Sequence, residues 1–260
     1  MVLLCKSDGG FIMSDLEWLI DYLEEVNNNK KIVKIYDFNT LRGLMNITMP
    51  YSLSDEYYIR QDRYLNELLK EKEIIDASSF NDGLNLYLGD ITLIKANAIV
   101  NACNSQLLGC FIPNHKCIDN AIHTFAGLEL RRDLIGIMTL QGHNEGVGLC
   151  KATRGYNLPS EYIFHTVGPI YSGSLDDEKD LYNCYYSCMM MADKMNLKTI
   201  VFPSISTGVY GYPIEEASRI AIRCVKKYLE KENKNIKKVI FDVFSLNDYK
   251  IYEEVIKKQI

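Results

Sequence analysis

The chain has 260 residues, a net charge of −5 and 24% charged residues. That length supports one good-sized core, or a core domain with a smaller appendage, and the composition is that of an ordinary soluble globular protein. The acidic balance argues against a broad nucleic-acid footprint, and no apolar run approaches the ~20 residues of a membrane span.

Residues 1–13 carry no basic leader and only a short apolar stretch, so no secretory signal is expected and the expected compartment is the cytoplasm. Ser14-Asp15-Leu16-Glu17 is spaced as a capping box. Leu16, Leu19, Ile20 and Leu23 continue it at helical spacing towards a stop at Asn27-Asn28-Asn29. Residues 32–38 read as a strand or a second short helix, and 41–51 carry mixed signals closed by Pro50. Ser54 starts another helical pattern, expected to end near Asp76. Residues 1–78 are therefore expected to form a mostly helical N-terminal extension, a structural cap rather than a binding module, with 78–83 as the linker. From residue 83 the pattern changes to short apolar runs alternating with amphipathic stretches. Strands are expected at 84–88, 98–102, 163–167, 199–205 and 239–244, and helices at 118–125, 128–140, 179–195, 213–231 and 248–256. Tyr182, Tyr185, Tyr186 and Met189 fall where a helix packs a core. The alternation predicts an α/β fold over 83–260, with helices on both faces of one sheet.

Four stretches carry candidate chemistry. Ser206-Thr207-Gly208-Val209-Tyr210-Gly211-Tyr212-Pro213 follows a β-rich run and precedes a helix. Its glycines permit φ > 0, so successive N–H groups can turn inward as an anion nest, and Ser206 and Thr207 add hydroxyl donors. A diphosphate needs such a loop; the plainer reading is a strand-to-helix turn. Gly89-Asp90-Ile91 places a carboxylate to accept from an exocyclic amine such as adenine's, with the Ile91 N–H for a ring nitrogen; the alternative is an Asx-type turn. The eight cysteines follow no regular framework, which favours thiols or metal ligands over disulfides. Cys110, His115 and Cys117 offer two thiolates and an imidazole, a set suited to zinc, and three ligands leave a tetrahedral ion one open position. Cys103 and His123 are the local candidates for a fourth; the alternative is two buried thiols and an unrelated histidine. Asn104 can donate to and accept from sugar hydroxyls, and Asp119 is a candidate acid–base or positioning group. Asp119 and His123 share a helix face, where the plainer reading makes Asp119 a helix cap and has His123 hydrogen-bond in the core, the reading favoured for His123. His165 is expected to be a satisfied structural histidine, and His143 has no assigned role.

In order and spacing, Leu88-Gly89-Asp90-Ile91-Thr92, Ile99-Val100-Asn101-Ala102-Cys103-Asn104, the Gly155 to Pro159 string, His165 to Pro169, and Pro203 to Pro213 together resemble the macrodomain family. The resemblance covers residues 83–260, and the segment from Gly109 to His123 is similar to the zinc-dependent branch, which also carries a helical N-terminal extension. It implies a three-layer α/β/α fold with a central mixed sheet and a pocket for ADP-ribose. Asp90 and Ile91 would hold adenine. Ser206, Thr207, Gly208, Val209, Tyr210 and Gly211 would wrap the diphosphate. Phe244, with Tyr249 as second choice, would flank the adenine or its ribose. Asn104 would bind the distal ribose and act with Asp119 in catalysis, beside one zinc ion on Cys110, His115 and Cys117. Two features depart from the family. Cys103 replaces the second alanine of the usual Asn-Ala-Ala-Asn, and a longer connection holding the metal triad replaces a glycine run, so the role of Asp119 is not carried over unchanged.

The implied activity is zinc-dependent hydrolysis that removes mono-ADP-ribose from modified proteins, at the glycosidic bond of the distal ribose. The transition state would be oxocarbenium-like. Zinc would act as template and Lewis acid or activate a water, with Asp119 orienting or deprotonating that water. The expected partners are ADP-ribose and a mono-ADP-ribosylated protein, without membrane or large nucleic acid. The alternative is a non-catalytic ADP-ribose-binding module with a structural zinc; a third reading is a nucleotide phosphatase or RNA-end-processing role.

Overall fold

Three helices open the structure, a computed structural model that describes residues 13–28 and 35–258. Helix α1 (Asp15–Val26) starts at the expected capping box: the Glu17 N–H donates to Ser14 Oγ and the Ser14 N–H to the Glu17 carboxylate. Helix α2 (Phe38–Ile47) starts at Asp37, whose carboxylate accepts from the Thr40 N–H. It occupies the stretch of mixed signal. The element expected at 32–38 lies partly outside the described residues, and its described part is irregular chain leading into α2. Helix α3 (Asp55–Lys70) has Ser54 as its cap and ends before the expected Asp76. The chain turns extended there, because Ile75 and Asp76 pair in parallel with Ile94 and Lys95.

The three helices share one apolar cluster, including Leu19, Leu23, Leu41, Leu44, Met45, Tyr57 and Leu65, which also takes in Leu128. Gln61 shows how far α3 is tied to the rest. Its Oε1 accepts the Leu128 N–H at 2.8 Å and its Nε2 donates to Glu129 at 2.7 Å. The helix beginning at Leu128 has glycine before it and no side-chain cap of its own, so Gln61 satisfies a donor left open there.

The strands in chain order are β1 (Ile75–Asp76), β2 (Gly83–Leu88), β3 (Ile94–Lys95), β4 (Ala98–Cys103), β5 (Cys150–Arg154), β6 (Tyr162–Val167), β7 (Thr199–Phe202) and β8 (Lys238–Val243). β1 and β3 form a small pair; the main sheet has the order β2-β8-β7-β4-β6-β5, parallel throughout except for β5 against β6. β5 was not expected, because Cys150-Lys151-Ala152-Thr153-Arg154 has only a weak apolar alternation; its lysine and arginine suit an edge strand. β7 stops at Phe202, short of the expected residue 205, since Pro203 cannot donate to a ladder. β8 ends at Val243, one residue before the expected limit, which leaves Phe244 86% exposed.

Helices α4 (Ile118–Ala126) and α5 (Leu128–Gln141) cover one face, and α6 (Leu175–Lys194), α7 (Ile214–Lys231) and α8 (Leu246–Lys258) the other. α6 starts earlier than expected because Ser174 and Asp177 form a second capping box. Alternate strand residues feed the two layers. Ala98, Val100, Phe202 and Phe241 pack with α6, α7 and α8, whereas Ile99, Cys103, Val201 and Ile240 pack with α4 and α5. The sheet is thus buried on both sides, as a mostly parallel sheet must be. The fold is a three-layer α/β/α arrangement around a mixed sheet, with a helical N-terminal part. Among the described residues no helix is long and apolar enough to cross a membrane.

Candidate active site

The chain leaves β4 towards one edge of the sheet and leaves β7 towards the other, although β4 and β7 are neighbours. Such a reversal opens a crevice at the carboxyl ends of the strands. A cleft of about 800 Å³ lies there. It is lined by Asp90 and Ile91 after β2, Asn104 and the segment to Asp119 after β4, the loop from Ser206 to Tyr210 after β7, and Phe244 after β8. One cleft thus gathers nearly every residue singled out in the sequence, from four separate connections. Gly211 is not among the lining residues, and Tyr249 packs against the α6–α8 core instead.

Cys110, His115 and Cys117 come together at this cleft, with their ligand atoms all within 4.8 Å of one another. Cys117 caps α4 and accepts the Asn120 N–H on its sulfur at 3.4 Å. The Nδ1 of His115 is buried with no hydrogen-bond partner. Burial, with Cys110 alongside, pushes the Cys117 thiol up to about 12. Two sulfurs and an imidazole gathered this closely, with an orphaned ring nitrogen, fit a soft divalent ion such as zinc. Neither alternative ligand joins them. Cys103 donates to the Thr166 carbonyl at 3.3 Å within the core, and His123 sits behind the loop under Gly109. Gly109 has φ +86°, and a Cβ there would lie 2.8 Å from His123 Cγ, so only glycine lets the loop pass.

The loop is held from outside by residues for which the sequence offers no signal. Arg42 of α2 donates to the His115 carbonyl at 3.1 Å and to Asn120 Oδ1 at 2.7 and 3.0 Å. Asn120 in turn donates to the Ile112 carbonyl at 3.1 Å, and Asn46 accepts the Asn114 N–H at 2.9 Å. Arg131 of α5, 1% exposed, donates to the carbonyls of Leu108, Met45 and Thr48 and lies over the Phe111 ring. The N-terminal helices therefore buttress the donor loop directly.

Asp119 stands one residue beyond the start of α4 and is 5% exposed. It is not the helix cap. Asn101, on β4, donates to its Oδ1 at 2.8 Å. The same Asn101 Nδ2 lies 3.3 Å from His165 Nδ1, and His165 Nε2 lies 2.9 Å from Thr153 Oγ1. His165 is thus satisfied on both nitrogens, and burial holds it down at about 3, neutral. His123 Nε2 lies 3.5 Å from Asp119 Oδ1, but neither ring nitrogen makes the hydrogen bond expected of it in the core; burial first, then the Arg131 charge, keeps it neutral too. Burial raises the Asp119 carboxyl to about 6, against the pull of the Asn101 bond and Arg131. Asn104 donates to the Gly109 carbonyl at 3.1 Å and accepts the Gln106 N–H at 3.0 Å, which fixes its amide at the mouth of the loop.

The glycine-rich loop differs from expectation in detail. Its positive φ angles are at Ser206 (67°) and Gly211 (69°), and Gly208 is not among the positive ones. Thr207 Oγ1 donates to the Ser204 carbonyl at 3.0 Å, so it shapes the loop, whereas Ser206 Oγ is buried without a partner. The Gly211 N–H returns to the Gly208 carbonyl and the Tyr212 N–H to the Ser206 carbonyl. At the far end of the cleft Asp90 does form the Asx-type turn: its Oδ1 accepts both the N–H and the hydroxyl of Thr92, at 2.9 and 2.6 Å. Asp242 of β8 lines the cleft beside it.

Comparison with known proteins agrees with this fold. The Macro domain family model matches residues 100–221. A protein-ADP-ribose hydrolase of Staphylococcus aureus is 43% identical over 255 residues, covering 94% of this chain and 95% of that protein. Among solved structures, an Oceanobacillus iheyensis macrodomain mutant with ADPR superposes with a TM-score of 0.63 and 41% identity, over 68% of this chain and 92% of that one. A Trypanosoma brucei macrodomain in complex with ADP-ribose gives 0.64 at 28% identity, over 82% and 94%.

Proposed function

The chain belongs to the macrodomain family, and we propose that it is a zinc-dependent protein-ADP-ribose hydrolase that removes mono-ADP-ribose by cutting the glycosidic bond at the distal ribose. The observation that carries this reading is the convergence of Cys110, His115 and Cys117 in the same cleft as Asn104 and Asp119. A relative that is itself named a protein-ADP-ribose hydrolase supports the hydrolytic class.

The cleft would take the ligand lengthwise. The free oxygen of Asp90 and the Ile91 N–H meet the adenine. The loop from Ser206 to Gly211, at the N-terminal end of α7, takes the diphosphate, where backbone N–H groups and the Ser206 hydroxyl can donate. Phe244 lies against the base or its ribose. Binding energy from these remote contacts fixes the reacting carbon in place. Asn104 would hold the hydroxyls of the distal ribose. Cys110, His115 and Cys117 would hold zinc, which supplies Lewis acidity beside that ribose. Hydrolysis adds water at the anomeric carbon, breaks the bond to the modified side chain and passes a proton to the departing group. Asp119, held by the Asn101 donor, would orient that water and accept its proton.

Release of free ADP-ribose from a mono-ADP-ribosylated protein tests the reading. Wild type should release it, and Cys117→Ala should lose turnover while still binding ADP-ribose in a calorimeter. Tight binding by the wild type with no release identifies a binding module instead.

A further inference from the structure

Asp242 carries a buried side-chain oxygen that nothing else in the described protein satisfies. It lies in β8, is 6% exposed, and its Oδ1 has no hydrogen-bond partner. An unpaired buried carboxyl oxygen destabilises a fold, so its place inside a strand calls for a partner the protein itself does not supply. The register sets Asp242 opposite Tyr87 of β2, and the Gly89 N–H donates to the Val243 carbonyl at 3.1 Å. The chain after β2 is thereby carried over the end of β8, and Asp90 and Asp242 face the same recess of the cleft. Burial, with the Asp90 charge alongside, lifts Asp242 to about 8. The recess therefore offers the free oxygen of Asp90, whose Oδ1 is committed to Thr92, and the Asp242 carboxyl, which burial biases towards its protonated form.

That combination has a clear chemical complement. A 6-aminopurine carries two N–H donors on one nitrogen, flanked by ring acceptors N1 and N7. A protonated carboxyl can accept one N–H and donate its own proton to N7, while a carboxylate accepts the other N–H. A 6-oxopurine offers an acceptor in place of the amine and a proton on N1, which reverses the pattern. We propose that Asp242 is a specificity-determining residue for the base, pairing with the amine and N7 of adenine opposite Asp90. This rests on the reading that the cleft takes ADP-ribose with its adenine at Asp90.

Calorimetry with ADP-ribose and with its hypoxanthine analogue, inosine-diphosphate ribose, tests it on wild type, Asp242→Ala and Asp242→Asn. Asp242→Ala should bind ADP-ribose about tenfold more weakly, the worth of one to two net hydrogen bonds, and lose part of its preference over the analogue, the rest staying with Asp90 and Ile91. Asp242→Asn, whose carboxamide also offers a donor and an acceptor, should keep both affinity and preference. Unchanged affinity and preference in Asp242→Ala overturn the inference. So does an equal loss in both variants with both melting below wild type, since the loss then follows folding. A wild type that binds neither ligand overturns the reading of the cleft itself, and the inference with it.

Discussion

Asn101 shows how one side chain sets the chemistry of another. It belongs to β4, so its position is fixed by the sheet, and it presents a donor to Asp119 across the base of the cleft. Asp119 is buried, yet it is kept from rising beyond about 6 by that donor and by Arg131. Asp242 has no such donor and stands at about 8. The contrast has a consequence for stability. A folded value of about 8 lies above the ordinary ~3.9 of an unfolded Asp, so between them the native state holds a proton the unfolded chain has released. The contribution of this group is fully present below the unfolded value and is lost as pH rises through the folded one. Asp242→Asn removes the titration. Denaturant melts at pH 5, 7 and 9 should therefore show the variant gaining on the wild type as pH rises, and a constant difference would contradict it.

At the scale of elements, the connection from β4 to α4 carries the donor set and α2 braces it. Arg42 joins the two through His115 and Asn120. Partners that orient metal ligands are typically worth 10–100-fold in metal affinity, so Arg42→Ala should weaken zinc binding by roughly that range in a chelator competition. Unchanged affinity would reduce the N-terminal helices to a cover. The sequence makes the elements of the sheet legible, since β2, β4, β6 and β8 are short apolar runs and α1 and α3 carry Ser-capped helical patterns. It does not reveal β5, whose pairing comes from its neighbour β6 and not from its own pattern. It also hides α2, where Asn39, Gly43 and Asn46 weaken a helix that tertiary packing of Leu41, Leu44 and Met45 rescues.

At the scale of the molecule, the cleft is a property of the sheet's topology, and the sequence marks where it would be through strings at the ends of strands. Asp90, Asn104, Cys110, His115, Cys117 and Asp119 all line it. Arg42, Arg131 and Asp242 could not be read in advance, because their partners lie far along the chain or, for Asp242, outside the protein. Gly208 illustrates the same limit within a motif: the string predicts a turning loop, but the positive φ falls on Ser206 and Gly211. On the proposed reading, the Asp90 recess and the loop from Ser206 would serve binding, and the soft donor set would serve the chemistry. The division is most directly measured by following ADP-ribose release from a mono-ADP-ribosylated protein before chelation, after complete removal of metal, and after zinc is returned, with ADP-ribose binding titrated in each state. The account predicts that release stops without metal and recovers with zinc, while binding persists at reduced affinity. Full release by the metal-free protein would contradict it.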